Sequence, residues 1–215
     1  MSNLDPAKQY HEWYYNNEIW KQTTFLGVDC LKSVSDMWNY QEIIWKLKPS
    51  LVVEFGAYHG GATMFFSMLL KAVNPRSKVL CVDLNFHQYD TSLLKKERHI
   101  EMMHCSSTDP KVKERIIRLR KKFKGPVFFI LDSDHSKAHV LAELGSLRDV
   151  TRPGDYLVVE DSNINGHPVL PDFGEGPMEA INEYFAKYPD DYLHDIEREN
   201  KFGFTFAPNG FLIRR

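Results

Sequence analysis

The feature that most constrains the fold is an alternation of short apolar runs with helical patterns, which begins at Leu51. The runs are continuous rather than alternating, and this is typical of strands that are buried on both faces. They occupy residues 51–55, 78–84, 100–105, 127–131 and 156–159. Helical patterns separate them, at 63–73, 93–98, 111–123 and 137–150. This order predicts an α/β fold with a mostly parallel sheet and helices on both faces.

Both ends of the chain depart from this alternation. Residues 1–48 are rich in aromatic side chains and predict a helical N-terminal extension, which packs on the core, covers a substrate or mediates oligomerisation. We expect residues 49–215 to form one globular domain. Residues 161–177, rich in Gly, Pro and Asn, predict a long loop, and loops of this length are often functional. After it we expect a helix at 178–187 and two strands, near 192–197 and 210–215.

Composition excludes some classes of function. The net charge is -2, so the sequence gives no electrostatic case for binding nucleic acid or a membrane surface. The three cysteines lack the spacing of metal ligands and suit a reducing compartment. Because no signal peptide and no apolar run of membrane-spanning length is visible, we expect a cytoplasmic protein.

The turn after the first strand suggests a ligand site. Its glycines, in the stretch 56–61, permit a tight turn and a close approach of a ligand to the backbone. Asp83 ends the second strand, where an acidic side chain accepts hydrogen bonds from ribose hydroxyls. Glu54, just before the turn, would repel a pyrophosphate but suits the amine and sulfonium of S-adenosylmethionine. The pattern therefore favours a methyltransferase, and a nicotinamide-dependent oxidoreductase is the alternative.

Acidic residues at the ends of two neighbouring strands suggest a metal site. Asp134, Glu160 and Asp161 offer carboxylate oxygens and no thiolate, a set that suits Mg²⁺. Glu160 and Asp161 are adjacent, so the strand must bend there for both to bind one ion. The alternative is a carboxylate cluster that is neutralised by a lysine or by backbone amides.

Three side chains near this cluster are candidate general bases. Lys137 stands one helical turn after Asp134, and beside a cation its pKa is expected to fall far enough for it to take a proton. His139 and His167 are the reserve candidates, although a single histidine is more often structural or solvated. The predicted catalytic set is therefore Lys137, His139 and His167.

Five segments together resemble the family of cephalosporin hydroxylases and rhamnosyl O-methyltransferases. These are residues 36–42, 53–56, 131–136, 159–161 and 171–177, and the resemblance covers most of the chain. It implies a Rossmann-like class I methyltransferase fold, with seven strands of which the last is antiparallel. It also implies S-adenosylmethionine- and Mg²⁺-dependent methylation of a hydroxyl on a small molecule, such as a secondary metabolite or a sugar. The family's metal ligands correspond to Asp134, Glu160 and Asp161.

The resemblance also predicts the cofactor site. The order of the site is similar to that of catechol O-methyltransferases, in which the metal-binding Asp precedes a His against the adenine and a Lys base, as Asp134, His135 and Lys137 do here. Asp161 stands where those enzymes have Asn, and they lack the long loop, so the acceptor need not be a catechol. The predicted cofactor-binding residues are Glu54, Gly56, Ala57, Tyr58, Gly61, Ala62, Asp83, Leu84, Ser107, Asp132 and His135.

One alternative comes from outside the enzymes. A non-catalytic protein that binds an adenosine ligand would share the first turn, but it would show neither Mg²⁺ dependence nor methyl transfer. The sequence leaves open the identity of the acceptor and whether the methyl group goes to oxygen, carbon or nitrogen. We expect a homo-oligomer because the N-terminal segment is so rich in aromatic residues.

Overall fold

The N-terminal segment contains more than helices. The computed structural model describes residues 5–85, 94 and 96–215. Helix α1 is followed by a 3-10 turn, by the two short strands of an antiparallel hairpin and by α2. The expectation of a helical segment therefore needs one correction, the hairpin, whose turn residues Leu26 and Gly27 have φ values of 52° and 81°. The bounds are α1 Pro6–Asn16, 3-10 Ile19–Gln22, β1 Thr24–Phe25, β2 Val28–Asp29 and α2 Val34–Leu47.

Within the described residues, seven further strands form a single sheet, as the resemblance implies. Strands β3 to β7 pair in parallel, in the order β5-β4-β3-β6-β7. The last strand, β9, runs antiparallel between β7 and β8. The bounds are β3 Leu51–Phe55, β4 Lys78–Asp83, β5 Ile100–His104, β6 Val127–Leu131, β7 Tyr156–Val159, β8 Tyr192–His194 and β9 Phe211–Arg214.

Five more helices are described, and the long ones match their expected positions within two residues. Of the helix expected at 93–98, residues 93 and 95 lie outside the described residues, Leu94 is helical, and residues 96–98 form no helix. The bounds are α3 Gly61–Val73, α4 Pro110–Lys122, α5 Lys137–Arg148, α6 Pro177–Lys187 and α7 Ile196–Asn200.

Alternate residues of the central strands face two separate apolar layers. Val53 of β3 packs in a layer with α4, α5 and α6, whereas its neighbour Val52 packs with α2 and α3. Helices therefore cover both faces, which explains why the strands are continuously apolar. Tyr40 and Ile44 of α2 are fully buried in the second layer. The boundary between residues 48 and 49 stays a prediction.

The parallel strands all point their carboxyl ends toward the same edge of the sheet. Glu54, Asp83, Asp132 and Glu160 lie in or directly after strands at that edge. Ligands of open α/β sheets bind at this edge, and the candidate site is found there.

Candidate active site

A cavity of about 540 Å³ opens at the carboxyl edge of the parallel strands. Its volume falls within the range of sites for small molecules and cofactors. Most of the residues that the sequence predicts for the site line this cavity, but Gly61, Lys137, Glu160 and His167 do not. The predicted residues that line it are Glu54, Gly56, Ala57, Tyr58, Ala62, Asp83, Leu84, Ser107, Asp132, Asp134, His135, His139 and Asp161.

The first turn is shaped by two glycines that cannot be replaced without a clash. Gly56 has φ +78°, and a Cβ atom on it would lie 1.8 Å from the backbone oxygen of Asp132. A Cβ atom on Gly61 would lie 2.4 Å from the backbone oxygen of Asp29 in β2. Gly56 therefore allows the turn to pack directly against the backbone that follows β6, whereas Gly61 allows α3 to pack against the hairpin.

Asp83 holds this turn together. Its Oδ2 accepts hydrogen bonds from the backbone N–H groups of Ala57 and Tyr58, at 2.8 and 2.9 Å, and its Oδ1 accepts one from Asn85 at 2.8 Å. This is the capping role that a single acid at a strand end often has. The expected contact with a ribose stays a prediction.

Glu54 presents an unsatisfied acceptor to the site. Its side chain is fully buried, and its Oε2 accepts a hydrogen bond from Thr63 Oγ1. Its Oε1 has no hydrogen-bond partner among the described residues. Burial raises the pKa of this carboxyl to about 8. Because buried acceptors are rarely left unpaired, the arrangement fits a ligand that brings a donor, such as an ammonium group, to Oε1.

Lys32 is a site residue that the sequence analysis missed. Its ammonium lies 2.5 Å from Asp132 Oδ2 and 2.6 Å from Glu160 Oε1, and its side chain is only 3% exposed. Burial acts to lower the pKa of Lys32, but the neighbouring carboxylates hold it well above its usual value. Glu160 therefore binds a lysine, which is the alternative that the sequence left open for this cluster.

A different trio of side chains meets where a metal ion was expected. Ligand atoms of Asp132, His135 and Asp161 all lie within 4.8 Å of one another, and His135 Nε2 is 3.2 Å from Asp161 Oδ2. Asp161 has φ 54°, which is the bend expected after Glu160. Asp134 lines the cavity, but its Oδ1 accepts a hydrogen bond from the Ser136 N–H at 2.8 Å. Metal binding by Asp134, Glu160 and Asp161 stays a prediction. That predicted trio and the observed one have Asp161 in common.

Lys137 does not fit its expected role as a base. Its ammonium lies 3.0 Å from Glu175 Oε1 and 3.1 Å from Glu183 Oε2. Hydrogen bonds to these carboxylates raise the pKa of Lys137, whereas the expected role needs a lowered one. These two anions come from the long loop and α6, and the local sequence around Asp134 does not reveal them.

Of the three candidate bases, only His139 lines the cavity. Its Nε2 lies 2.8 Å from Ser107 Oγ and 3.3 Å from Glu143 Oε1. The contact with Glu143, which is fully buried, raises the pKa of His139. His167 instead pairs with Glu179, with its Nε2 2.8 Å from Oε1, away from the cavity lining.

Comparison with known proteins identifies the family. The model of the family described as Rhamnosyl O-methyltransferase/CmcI matches residues 17–215. The chain belongs to this family. A rhamnosyl O-methyltransferase of Mycobacterium tuberculosis is 55% identical over 208 residues, which are 97% of this chain and 84% of that protein. The resemblance drawn from the five segments is confirmed, and with it the assignment to the S-adenosylmethionine-dependent O-methyltransferases.

Solved structures support the fold of this family member. The apo structure of CmcI has a TM-score of 0.70 at 22% identity, and the match covers 90% of this chain and 76% of CmcI. A structure of CmcI with Mg and SAM has a TM-score of 0.67 at 20% identity, covering 91% of this chain and 77% of that one. The class I methyltransferase fold is thereby confirmed. Within the described ranges of this family member, no helix has the length and apolar character needed to cross a bilayer.

Proposed function

We propose that the protein transfers the methyl group of S-adenosylmethionine to a hydroxyl group of a sugar residue, with a divalent cation, most simply Mg²⁺, at the acidic edge of the cavity. The observation that carries this proposal is that Glu54, with its unpaired Oε1, and Asp161, in the acidic group, line one cavity. The name of the mycobacterial relative supports a rhamnosyl acceptor, and the CmcI structure with Mg and SAM supports the pair of cofactors.

The first turn fits the methyl donor. When bound, S-adenosylmethionine supplies a methyl group that its sulfonium makes electrophilic. Glu54 Oε1 would accept a hydrogen bond from the amine of the cofactor, and Gly56 lets the turn lie directly against the backbone of Asp132 at the edge of the cavity. Asp83 fixes the amides of Ala57 and Tyr58, so the turn is preorganised before any ligand arrives.

The acidic edge fits a divalent cation. Asp161 would hold it, together with either Asp132 and His135 or Asp134 and Glu160. A bound cation lowers the pKa of a hydroxyl group next to it, as it does for water. Lys32 fixes the carboxylates of Asp132 and Glu160 from the buried side of this group.

His139 is the residue that we propose as the proton acceptor. The proton of the acceptor hydroxyl would pass to the other ring nitrogen, Nδ1, while Glu143 Oε1, 3.3 Å from Nε2, stabilises the imidazolium that forms. Ser107 Oγ, 2.8 Å from Nε2, orients the ring. Catalysis otherwise rests on holding donor and acceptor in line, which is worth up to about 7–11 kcal/mol in well-oriented systems.

Calorimetry separates this function from its alternatives. We expect tight binding of S-adenosylhomocysteine and none of NAD, because only the former carries an aliphatic amine that can donate to Glu54 Oε1. Tight NAD binding would favour an oxidoreductase. Cofactor binding with no methyl transfer to any hydroxylated acceptor, and no effect of EDTA, would favour a non-catalytic binding protein.

Two further properties belong to this proposal. We infer a homo-oligomer, since Trp38 and Trp45 of α2 are 59% and 63% exposed and large exposed aromatic side chains are common at interfaces. Sedimentation equilibrium should then give a mass above that of one chain. We also infer a cytoplasmic location, which fractionation of the source cells tests directly.

A further inference from the structure

Three aromatic rings line the cavity together, and none of them belongs to the predicted cofactor or metal residues. Tyr15 and Trp20 come from the N-terminal segment, and Phe206 comes from the stretch before β9. The ring centroids of Tyr15 and Trp20 are 5.6 Å apart, those of Tyr15 and Phe206 5.4 Å and those of Trp20 and Phe206 6.4 Å. The three rings form a continuous apolar surface, which we call the aromatic wall.

Buried contacts on the side away from the cavity hold the aromatic wall in place. The Phe206 N–H donates a hydrogen bond to Asp36 Oδ2 at 2.8 Å, and Asp36 Oδ1 accepts one from Thr205 Oγ1 at 2.6 Å. The ring of His11 stacks on Phe206 at 5.6 Å. Because these supports are buried, the wall is in place before a ligand binds, and less entropy is lost on binding.

The wall lies beside the proposed reaction centre. Asp161 lines the same cavity, and its charge adds to burial in raising the pKa of the Tyr15 hydroxyl to about 12. Asn163, two residues after Asp161, lies with its Nδ2 2.9 Å from His11 Nε2. The N-terminal segment and the loop that follows Asp161 therefore enclose one volume.

Simple core packing does not account for Tyr15 and Trp20. Tyr14, their neighbour, is 3% exposed and packs against Phe204 and Phe206, as a core residue does. Tyr15 and Trp20 stay half-buried at the edge of the cavity. A ligand that covered them would remove apolar surface from water, which stabilises binding.

The charge of the cavity limits what that ligand is. Of the described residues that line it, Lys32 is the only lysine or arginine, and it is paired with Asp132 and Glu160. The same lining contains Asp29, Glu54 and Asp83 besides the acids near Asp161. Among the described lining residues, no lysine or arginine is therefore free to pair with a phosphate or carboxylate group.

From these observations we propose that the aromatic wall is the acceptor-binding surface, and that Tyr15 and Trp20 pack against the apolar C–H surface of an uncharged glycosyl ring whose hydroxyl points toward Asp161. The inference rests on the proposed function and adds to it the residues that select the acceptor. It also gives residues 1–48 a role in binding the acceptor.

The test compares two tryptophans of the same segment. Trp20→Leu should raise the KM for a neutral rhamnoside by about tenfold or more, as loss of apolar contact does, and leave the Kd of S-adenosylhomocysteine within about twofold. Trp20→Phe should restore most of the wild-type KM. Trp13→Leu is the control, because Trp13 is 51% exposed and does not line the cavity. It should leave the KM unchanged.

An unchanged KM in Trp20→Leu would overturn the proposal while leaving the methyltransferase function intact. If the wild-type protein methylates no glycoside at all, the proposed function itself fails. Should Trp20→Leu fail to fold, wild-type protein labelled with 5-fluorotryptophan provides the second measurement. The fluorine signal of Trp20, assigned with Trp20→Phe, should shift when rhamnoside is added to the complex with S-adenosylhomocysteine, and that of Trp13 should not. A shift confined to Trp13, or no shift at saturating rhamnoside, would also overturn it.

Discussion

The ammonium of Lys32 lies 2.6 Å from Glu160 Oε1, although 128 residues separate them, and the side chains are only 3% and 5% exposed. The same ammonium binds Asp132, so one buried lysine joins the ends of β6 and β7 beneath the cavity. Two carboxylates this close would repel each other without a cation between them. Lys32 supplies that cation permanently.

Loss of this ammonium should destabilise the fold strongly. Lys32→Met removes the cation from the buried carboxylate of Glu160 and the partly buried one of Asp132, and we expect the free energy of unfolding in urea at pH 7 to fall by about 3–5 kcal/mol. Lys21→Met is the control, because Lys21 pairs with Glu18 on the surface, and such pairs contribute about 0–1 kcal/mol. Equal losses of unfolding free energy in the two variants would show that the buried ion pair stabilises the fold no more than the surface pair does.

The first turn should not tolerate a side chain at Gly56. In Gly56→Ala, the new Cβ atom meets the backbone of Asp132 and the positive φ becomes strained, so both thermal stability and binding of S-adenosylhomocysteine should fall. Gly154 has φ +88° but open space around its Cβ position, so Gly154→Ala should show the strain alone, about 1 kcal/mol. The prediction fails if calorimetry gives the two variants the same melting temperature and the same affinity.

Cofactor affinity should depend on pH through Glu54. Burial raises the pKa of Glu54 to about 8, so the carboxyl is mostly protonated at pH 6 in the free protein. The ammonium group of the ligand favours the ionised form of Glu54, and binding below pH 8 therefore releases a proton. The affinity for S-adenosylhomocysteine should rise up to about tenfold per pH unit between pH 6 and 8, and level off above. In Glu54→Gln this pH dependence of the affinity should be absent. An affinity profile against pH that is unchanged from wild type would contradict the assignment of Glu54 to the cofactor site.

Binding of Mn²⁺, monitored by electron paramagnetic resonance, distinguishes the two candidate sets of metal ligands. Asp161→Asn should weaken binding by about 10–100-fold or more, since Asp161 belongs both to the predicted trio and to the trio that the structure brings together. We expect Asp134→Asn to weaken it also. Loss with His135→Ala but none with Asp134→Asn would instead assign the ion to Asp132, His135 and Asp161.

Proton transfer should depend on His139 and not on Lys137. His139→Asn should lower kcat by about 10²–10⁴, whereas Lys137→Met should leave kcat close to the wild-type value. Glu143 raises the pKa of His139, and the imidazole must be neutral to act as a base. In Glu143→Gln the acid limb of the kcat profile should therefore move to lower pH. A large loss of kcat in Lys137→Met would restore the lysine as the base.

The sheet was predictable because buried strands carry a local signal. The apolar run 51–55 and the glycines that follow it specify the strand, the turn and the start of the next helix with no help from distant residues. The resemblance to the family added the antiparallel last strand. The hairpin Thr24–Asp29 was missed because two strands of two residues each have no periodicity to detect.

The interior of the site was less predictable because it depends on partners far apart in the chain. Nothing near Lys32 in the sequence indicates that it will meet Asp132 and Glu160. The role expected of Lys137 rested only on its spacing from Asp134 in the sequence. Its carboxylate partners, Glu175 and Glu183, lie much later in the chain. Charged groups interact through space, so acids at strand ends indicate where the site lies but not which charged side chains pair there.

Methyl transfer from deuteriomethyl-labelled S-adenosylmethionine to a neutral rhamnoside tests the central claim most directly. With Mg²⁺ present, we predict one labelled methyl ether on a ring hydroxyl and one S-adenosylhomocysteine released per turnover, and loss of both products in EDTA. Product NMR would locate the label. Label on carbon or nitrogen, full turnover in EDTA, or no transfer to any glycoside by protein that binds S-adenosylhomocysteine would contradict the account.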